Sequence, residues 1–170
     1  MQVTGYKLMA RLREVMNRRE ALYQRFEKCV EVFPSEATRW PKPQEVSEEL
    51  EMLEQMIAQL QTAQSLYNSM VRVQVDDERS ISLAEAVKTV GGYGRLAKLW
   101  KKVAVGGERD RYRYNDSRST DQEHKEPRVD QDEALELTSA FERTAADYRE
   151  AIQMGNATVM DIPDIDHLFN

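Results

Sequence analysis

Apolar residues near the start of the chain follow a heptad repeat, with alternating spacings of four and three residues. This spacing places one apolar stripe along a helix and predicts that the helix pairs with another helix. Thr4 is a suitable N-cap and Pro34 prevents continuation, so the pattern predicts a helix over residues 4–33. Arg19 occupies the one polar position. The apolar positions are Leu8, Leu12, Val15, Leu22, Phe26, Cys29 and Phe33.

A second heptad repeat predicts a helix over residues 44–73, with Gln64 at its one polar position. Two stripes of equal length predict a coiled-coil-like antiparallel hairpin with helices about 45 Å long. Arg19 and Gln64 are expected to face each other and to fix the register. The Met residues at 52, 56 and 70 are expected to fill gaps in the core. The stripe comprises Val46, Leu50, Leu53, Ile57, Leu60, Tyr67 and Val71.

Two further helices are predicted over residues 82–104 and 130–154, beginning at the capping residues Ser82 and Asp130. The expected inward positions are Leu83, Val87, Val90, Leu96, Trp100 and Val103 in the third helix and Leu137, Phe141, Ala145, Tyr148 and Ile152 in the fourth. The glycines at 91, 92 and 94 predict a kink, a break or a close helix crossing.

The four predicted helices give an all-α antiparallel four-helix bundle. Length favours one domain, and we assign it to residues 1–155. Residues 156–170 are predicted to be a docking tail that cannot fold alone. We also expect the helices to pack against a second copy, so that the chain is a homo-oligomer.

Composition narrows the class of protein. The 170 residues carry a net charge of -6 and a pI near 5.1, which argues against a protein that coats nucleic acid. Cys29 is the single cysteine, so no intramolecular disulfide can form. No stretch is apolar and long enough to span a bilayer, and the N-terminal residues do not resemble a signal peptide. These features predict a cytoplasmic protein without a membrane partner.

A long loop is predicted over residues 106–129, and it mixes arginines, tyrosines and serines. With the preceding Arg95, Lys98, Lys101 and Lys102, residues 95–118 hold eight basic and three acidic side chains. Arginines suit a phosphate and tyrosines suit a stacked ring, so we expect an anionic ligand such as a nucleotide. The predicted ligand-binding residues are Arg79, Arg109, Arg111, Tyr112, Arg113, Tyr114, Ser117 and Arg118. Alternatively, these arginines pair with the Glu-rich second helix or with a neighbouring subunit.

The sequence offers little for catalysis, and we predict no catalytic residue, metal ligand or cofactor. Glu48, Glu51 and Glu54 have the spacing of half of a magnesium site in helical nucleotide pyrophosphatases, but no Glu-x-x-Asp occurs to complete it. The two histidines, His124 and His167, lack ligand-like surroundings, with only Asp164 spaced as a partner of His167.

Several short motifs give the chain a resemblance to a family. They are Tyr67-Asn68, the turn Val75 to Ala86, the loop Arg111 to Ser119 and the helix Asp147 to Gln153. With these motifs the chain resembles the septicolysin-like family of small bacterial helical proteins. It differs at Glu78, where the family usually has glycine, at Asn156-Ala157, where an Asn-Trp pair is usual, and in its longer C-terminal tail. The resemblance implies an antiparallel helical fold and oligomerisation, and it assigns no catalytic residue.

Three functions follow in order of preference. The first is a non-catalytic helical homo-oligomer that binds an anionic small ligand, for example to sequester a signalling nucleotide. The second is a structural scaffold whose partners are proteins, including further copies of itself. The third is a magnesium-dependent helical nucleotide pyrophosphatase.

Overall fold

The computed structural model describes residues 1–76, 79–113 and 128–169, with side chains in the second range described up to residue 105. Four long helices dominate, as the sequence predicts. Two short two-stranded sheets accompany them, and the sequence patterns do not predict these. In chain order the elements are β1 (Gln2–Val3), α1 (Gly5–Val30), α2 (Pro43–Met70), β2 (Arg72–Gln74), β3 (Ser80–Ser82), α3 (Leu83–Arg113), α4 (Gln131–Ala157), β4 (Met160–Asp161) and a 3-10 turn (Asp166–Phe169).

The first helix, α1, begins at the predicted cap, where the Thr4 hydroxyl oxygen accepts a hydrogen bond from the Lys7 amide at 3.2 Å. Its buried positions recur every seven residues, as the heptad repeat predicts. The helix ends at Val30 rather than at residue 33, and Phe33 is 74% exposed in the connecting loop. The heptad positions that are buried are Leu8, Val15, Leu22 and Cys29.

The second helix, α2, opens with Pro43, whose missing amide hydrogen costs nothing in a first helical turn. Its core positions agree with the predicted stripe, and Ala63 is buried beside the polar Gln64. It ends at Met70 rather than at residue 73 because the chain continues into β2. The buried residues are Val46, Leu53, Ile57, Leu60, Ala63 and Tyr67.

Two contacts show that α1 and α2 are antiparallel. Arg19 of α1 contacts Glu54 of α2, whereas Gly5, at the start of α1, packs beside Tyr67 near the end of α2. The expected Arg19–Gln64 pairing is wrong. A carboxylate compensates the charge of a partly buried guanidinium better than a neutral amide does. Glu54 supplies this carboxylate.

The chain divides into two compact units, and the assignment of residues 1–155 to one domain stays a prediction. Unit 1 comprises Met1–Arg72 and Met154–Asn170, and unit 2 comprises Val73–Gln153. In unit 1, β1 pairs with β4 in antiparallel register, Gln2 opposite Asp161. The described part of the predicted docking tail therefore packs on its own chain. Its buried side chains are Ile162, Ile165 and Leu168.

In unit 2, β2 and β3 form a two-stranded sheet before α3. The Ser82 hydroxyl oxygen accepts from the Glu85 amide at 3.1 Å, and Asp130 caps α4 through the Glu133 amide at 2.7 Å, both as predicted. Tyr93 of α3 packs against Phe141 and Tyr148 of α4, with ring centroids 6.1 and 5.6 Å apart. These aromatic contacts join α3 to α4.

Of the three alternatives predicted for the glycines of α3, a break is wrong, because the helix runs continuously through all three. Each glycine costs about 1 kcal/mol relative to alanine, but a break would also sacrifice backbone hydrogen bonds and displace Tyr93 from its partners. The helix also continues to Arg113, so residues 106–113 are helical and the predicted loop over 106–129 starts too early. Residues 114–127 lie outside the described part of the chain.

The predicted core positions of α3 are also partly wrong. Val87, Leu96 and Val103 are exposed, and small residues take most of the buried positions. The apolar residues of α3 occupy two sides of the helix, so the heptad pattern alone fits either side. The buried residues of α3 are Leu83, Ala86, Ala97 and Ala104. No helix in the described ranges has the length and apolar character that crossing a membrane requires.

Candidate functional site

The basic residues of α3 form a positively charged cluster on the described surface. Between residues 83 and 105 the helix carries five basic residues and one acidic residue, Glu85. All five basic side chains are exposed. Within the described residues none of the five forms an ion pair. The five are Lys88, Arg95, Lys98, Lys101 and Lys102.

Three of these residues follow the heptad period. Lys88, Arg95 and Lys102 are seven residues apart, so they lie along one edge of α3. The next position in the series is Arg109, in a part of α3 where only the backbone is described. The continuation of the helix to Arg113 thus connects the basic edge directly with the Arg/Tyr-rich segment.

Arg79 is the one predicted ligand-binding residue whose side chain is described. Its guanidinium lies 3.3 Å from the carboxylate of Glu85, and its backbone amide donates to Asp76 Oδ1 at 2.7 Å. Arg79 therefore holds the turn between β2 and β3 and neutralises the single acidic residue at the start of α3. A ligand that bound Arg79 would have to compete with Glu85.

The other predicted ligand-binding residues fall into two groups. Arg109, Arg111, Tyr112 and Arg113 have helical backbones in the last turns of α3, and their side chains are not among those described. Tyr114, Ser117 and Arg118 lie outside the described residues. No contact between Arg79 and either group falls within the described ranges, so their assembly into one site stays a prediction.

The Glu-rich helix α2 finds its basic partners in α1. Arg18 pairs with Glu49, and Arg19 lies 3.3 Å from Glu54. The Tyr23 hydroxyl donates to the same Glu54 carboxylate at 3.1 Å, and this hydrogen bond raises the pKa of Tyr23 above its ordinary value. Glu49 and Glu54, two of the five glutamates of α2, therefore pair with arginines of α1 and not with the basic residues of α3.

Unit 1 contains a groove that the sequence patterns do not predict. It runs between α2 and the C-terminal tail and has a volume of about 500 Å³. Asp164 turns the tail at this groove with a φ of 56°, in the left-handed region. His167, also on the tail, contacts α2, with its Nε2 atom 3.1 Å from Gln59 Oε1. The lining residues are Ala58, Gln59, Thr62, Ala63, Leu66, Ile162, Pro163, Asp164, Ile165, His167 and Leu168.

The sequence does contain a signal for this groove. Positions 52, 56, 59, 63, 66 and 70 continue the four-three spacing on a second side of α2, and Met52, Leu66 and Met70 are exposed. The prediction that Met52 and Met70 fill the core is therefore wrong. The residues of the first stripe already fill the contact with α1, which leaves these methionines at the surface. A search for a second heptad stripe would have found this side of α2.

The described residues include no group of three or more His, Cys, Asp or Glu side chains that could hold a metal ion. Of the three glutamates considered for magnesium, Glu54 is bonded to Arg19 and Tyr23. Among the described side chains the arrangement thus offers cationic binding groups on α3 and an apolar groove in unit 1.

Comparison with known proteins supports the fold and is silent on activity. No family model and no curated protein matches the chain. A solved structure, the crystal structure of a functionally unknown conserved protein from Corynebacterium diphtheriae, has a similar fold with a TM-score of 0.71. The two chains are 18% identical, and the match covers 95% of this chain and 100% of the other. At this identity the similarity shows a shared, mostly helical fold.

Proposed function

We propose that this chain is a non-catalytic helical protein that binds an anionic small ligand along the basic edge of α3 and the Arg/Tyr-rich segment that continues it. The supporting observation is that five exposed basic side chains of α3 have no ion-pair partner among the described residues. In a protein of net charge -6, such a cluster is a local reversal of sign that attracts anions.

The ligand class follows from the residue types in and after α3. Arginines bind phosphate oxygens through two parallel hydrogen bonds, and tyrosines offer flat faces for a base. Arg111, Tyr112, Arg113 and Tyr114 supply both kinds of group within four residues. A nucleotide is therefore the proposed ligand, and sequestration is the proposed role because binding alone needs no catalytic residue.

We also propose a helix arrangement, an oligomeric state and a cellular location for the protein. We place the four helices in an antiparallel bundle, the chain in a homo-oligomer and the protein in the cytoplasm. Kinship with the septicolysin-like proteins remains part of this proposal, since it implies a helical oligomer and assigns no catalytic residue. Nucleic acid is not the proposed partner, because the overall charge is negative.

Native mass spectrometry of protein purified without denaturation tests the proposal. We expect an added mass of a few hundred daltons per subunit or pair of subunits, on the order of one nucleotide. The double variants Lys98→Gln with Lys101→Gln and Arg111→Ala with Arg113→Ala should each lose it. Arg25→Gln with Lys28→Gln removes two exposed charges from α1 and serves as the matched control. An adduct retained by both α3 variants, or no adduct and no binding across a nucleotide panel, would refute the proposal.

A second candidate function is a structural module that assembles with proteins, including further copies of itself. It is favoured by the exposed apolar residues of α3, since Leu96, Leu99 and Val103 lie on one side of the helix at heptad spacing. The pyrophosphatase hypothesis gains no support within the described residues, because two of the five glutamates of α2 already serve ion pairs with α1.

A further inference from the structure

The heptad repeat of α1 leaves one row of apolar residues at the surface. Each residue of this row, which we call the outer stripe, follows a buried heptad residue by one position and so lies about 100° around the helix from it. Met16, Tyr23 and Val30 are 38%, 43% and 56% exposed, and Met9 is half-buried. The contact with α2 thus uses only part of the apolar side of α1. The outer stripe comprises Met9, Met16, Tyr23 and Val30.

A row of charged residues borders the outer stripe on the side away from the buried heptad residues. Arg13, Glu20 and Glu27 each follow a residue of the stripe by four positions, so they are its neighbours on the helix surface. All three side chains are exposed. Within the described part of the chain, neither Arg13 nor Glu20 forms an ion pair. This border therefore changes sign along α1, from positive to negative.

We propose that two copies of the chain pack antiparallel through the outer stripes of their α1 helices. This inference rests on the homo-oligomer in the proposed function and names its contact surface, and it does not depend on the anionic ligand. In an antiparallel helix pair, each residue of the stripe meets the row that lies three positions further along its heptad in the second copy. By two-fold symmetry each layer occurs twice. The layers pair Met9 with Phe26, Leu12 with Tyr23 and Met16 with Arg19.

The charged border selects a second copy as the partner. In this register Arg13 lies opposite Glu20 of the second copy, and by symmetry Glu20 lies opposite its Arg13. Glu27 falls opposite Tyr6 of the second copy, so no like charges meet along the border. The surface of α1 is thus complementary to itself about a two-fold axis. Contact with an unrelated protein does not require this property.

The same charges specify the direction of packing. In a parallel pair each border residue would face its own counterpart, Arg13 against Arg13 and Glu20 against Glu20, and like charges oppose that arrangement. The one charged residue within the contact is already neutralised, because Arg19 lies 3.3 Å from Glu54 of its own α2. Its aliphatic stem is what Met16 of the second copy would meet, and a flexible methionine suits such a surface.

Charge reversals test the border. Arg13→Glu places two carboxylates opposite each other, and Glu20→Arg does the same with two guanidinium groups. Each variant should raise the dimer dissociation constant at least about tenfold in analytical ultracentrifugation. Both substitutions in one chain restore opposite charges and should return the dissociation constant to near that of the wild type. Arg25→Glu reverses an exposed charge on another side of α1 and should associate like the wild type.

Met16→Lys tests the apolar part of the contact. Met16 is 38% exposed, so the fold should tolerate the change, whereas in the dimer the new lysine would meet Arg19 of the second copy. Association should weaken at least about tenfold. Met52→Lys replaces a methionine that is 61% exposed on α2 and is the matched control. Circular dichroism melts establish that the variants are folded.

Each other outcome has a definite meaning. Single reversals that leave association unchanged, or a double variant that stays as weak as the single ones, would overturn the antiparallel register. An oligomer that Met16→Lys does not weaken would overturn the contact through the outer stripe. A wild type that is monomeric at all accessible concentrations would overturn both this inference and the proposed homo-oligomer. Loss of the nucleotide adduct alone would refute the ligand and leave this inference intact.

Discussion

The hydroxyl oxygen of Tyr67 lies 2.8 Å from the carbonyl oxygen of Gly155 and 2.6 Å from that of Thr158. Tyr67 is near the end of α2 and is fully buried, and the two carbonyls belong to the end of α4 and the residue that follows it. The heptad pattern identifies Tyr67 as an apolar core position. Its hydroxyl group also makes the polar contact that holds the C-terminal segment of unit 1.

Substituting Tyr67→Phe should lower the stability of the protein. The ring stays in place, but two carbonyl oxygens lose their shared hydrogen-bond donor. We expect the free energy of unfolding to fall by about 1–3 kcal/mol, measured by chemical unfolding followed by circular dichroism. Tyr93→Phe, which keeps the ring packed against Phe141 and Tyr148, is the control for removing a phenol. Equal stabilities for wild type and Tyr67→Phe would show that this contact contributes nothing.

Stability should also depend on pH through Tyr67. Burial raises the pKa of Tyr67 above its ordinary value of 10.0, and a backbone hydrogen bond with Gly5 partly opposes the shift. Because the folded-state pKa is the higher one, the stabilisation is fully present below pH 10 and is lost as the pH rises through the folded-state pKa.

Unfolding measurements at neutral pH and above pH 10 check this dependence. The wild type should lose more stability between the two conditions than Tyr67→Phe does, because the variant lacks the titrating group. Tyr23 contributes to both proteins alike, since its pKa is raised by Glu54. Parallel losses in the two proteins would assign the alkaline sensitivity to groups other than Tyr67.

Gly5 should tolerate no side chain. A Cβ atom there would lie 2.5 Å from Asn156 Oδ1, 2.9 Å from the Tyr67 ring and 3.2 Å from the Asn156 backbone. Alanine normally stabilises a helix, but here α1 and its neighbours would have to separate. We expect Gly5→Ala to lower the free energy of unfolding by about 1–3 kcal/mol.

Gly94→Ala is the matched control for this prediction. It lies within α3, and a Cβ atom would meet nothing within 4 Å. The same substitution should therefore raise stability by about 0.5–1 kcal/mol, because alanine has the higher helix propensity. Thermal melts of the two variants should shift in opposite directions, and shifts of the same sign would contradict the steric explanation.

Replacing Arg19 by leucine should increase stability. Its Nε atom is buried without a hydrogen-bond partner, and its guanidinium pairs with a Glu54 that remains substantially solvated. A leucine would complete the apolar stripe of α1, and the freed carboxylate can turn to water. We expect a gain of about 1 kcal/mol in chemical unfolding. A loss of similar size would mean that the ion pair stabilises the hairpin more than an apolar contact does.

The hairpin of α1 and α2 illustrates what sequence patterns predict well. Leu8, Val15, Leu22 and Cys29 are buried at intervals of seven residues, and the heptad stripe of α2 is buried in the same way. In a long helix the apolar period alone selects the buried side, provided that only one apolar side exists. The helix caps at Thr4, Ser82 and Asp130 depend only on residues next to them in the sequence, and the sequence predicted all three.

The α3 helix shows where this reasoning stops. Its apolar residues lie on two sides, so a single pattern could not tell that Leu96 and Val103 face outward and Ala97 and Ala104 face inward. The local cost of the glycines at 91, 92 and 94 allowed a break as one of three predicted alternatives, and the helix is not broken there. The contacts of Tyr93 with Phe141 and Tyr148 stabilise the unbroken helix. Both partners lie about fifty residues after Tyr93 in the sequence, so a local pattern does not include them.

The sequence by itself determined that the chain is mostly helical and which side of each of the first two helices is buried. It also determined which segment is rich in basic residues. These properties depend on the spacing and type of residues within one segment. Tertiary structure alone decided that Tyr67 bonds to Gly155, that the tail returns to pair with β1 and that Arg19 meets Glu54. Those contacts join residues far apart in the chain, and their free energies depend on which surfaces the packed helices bring together.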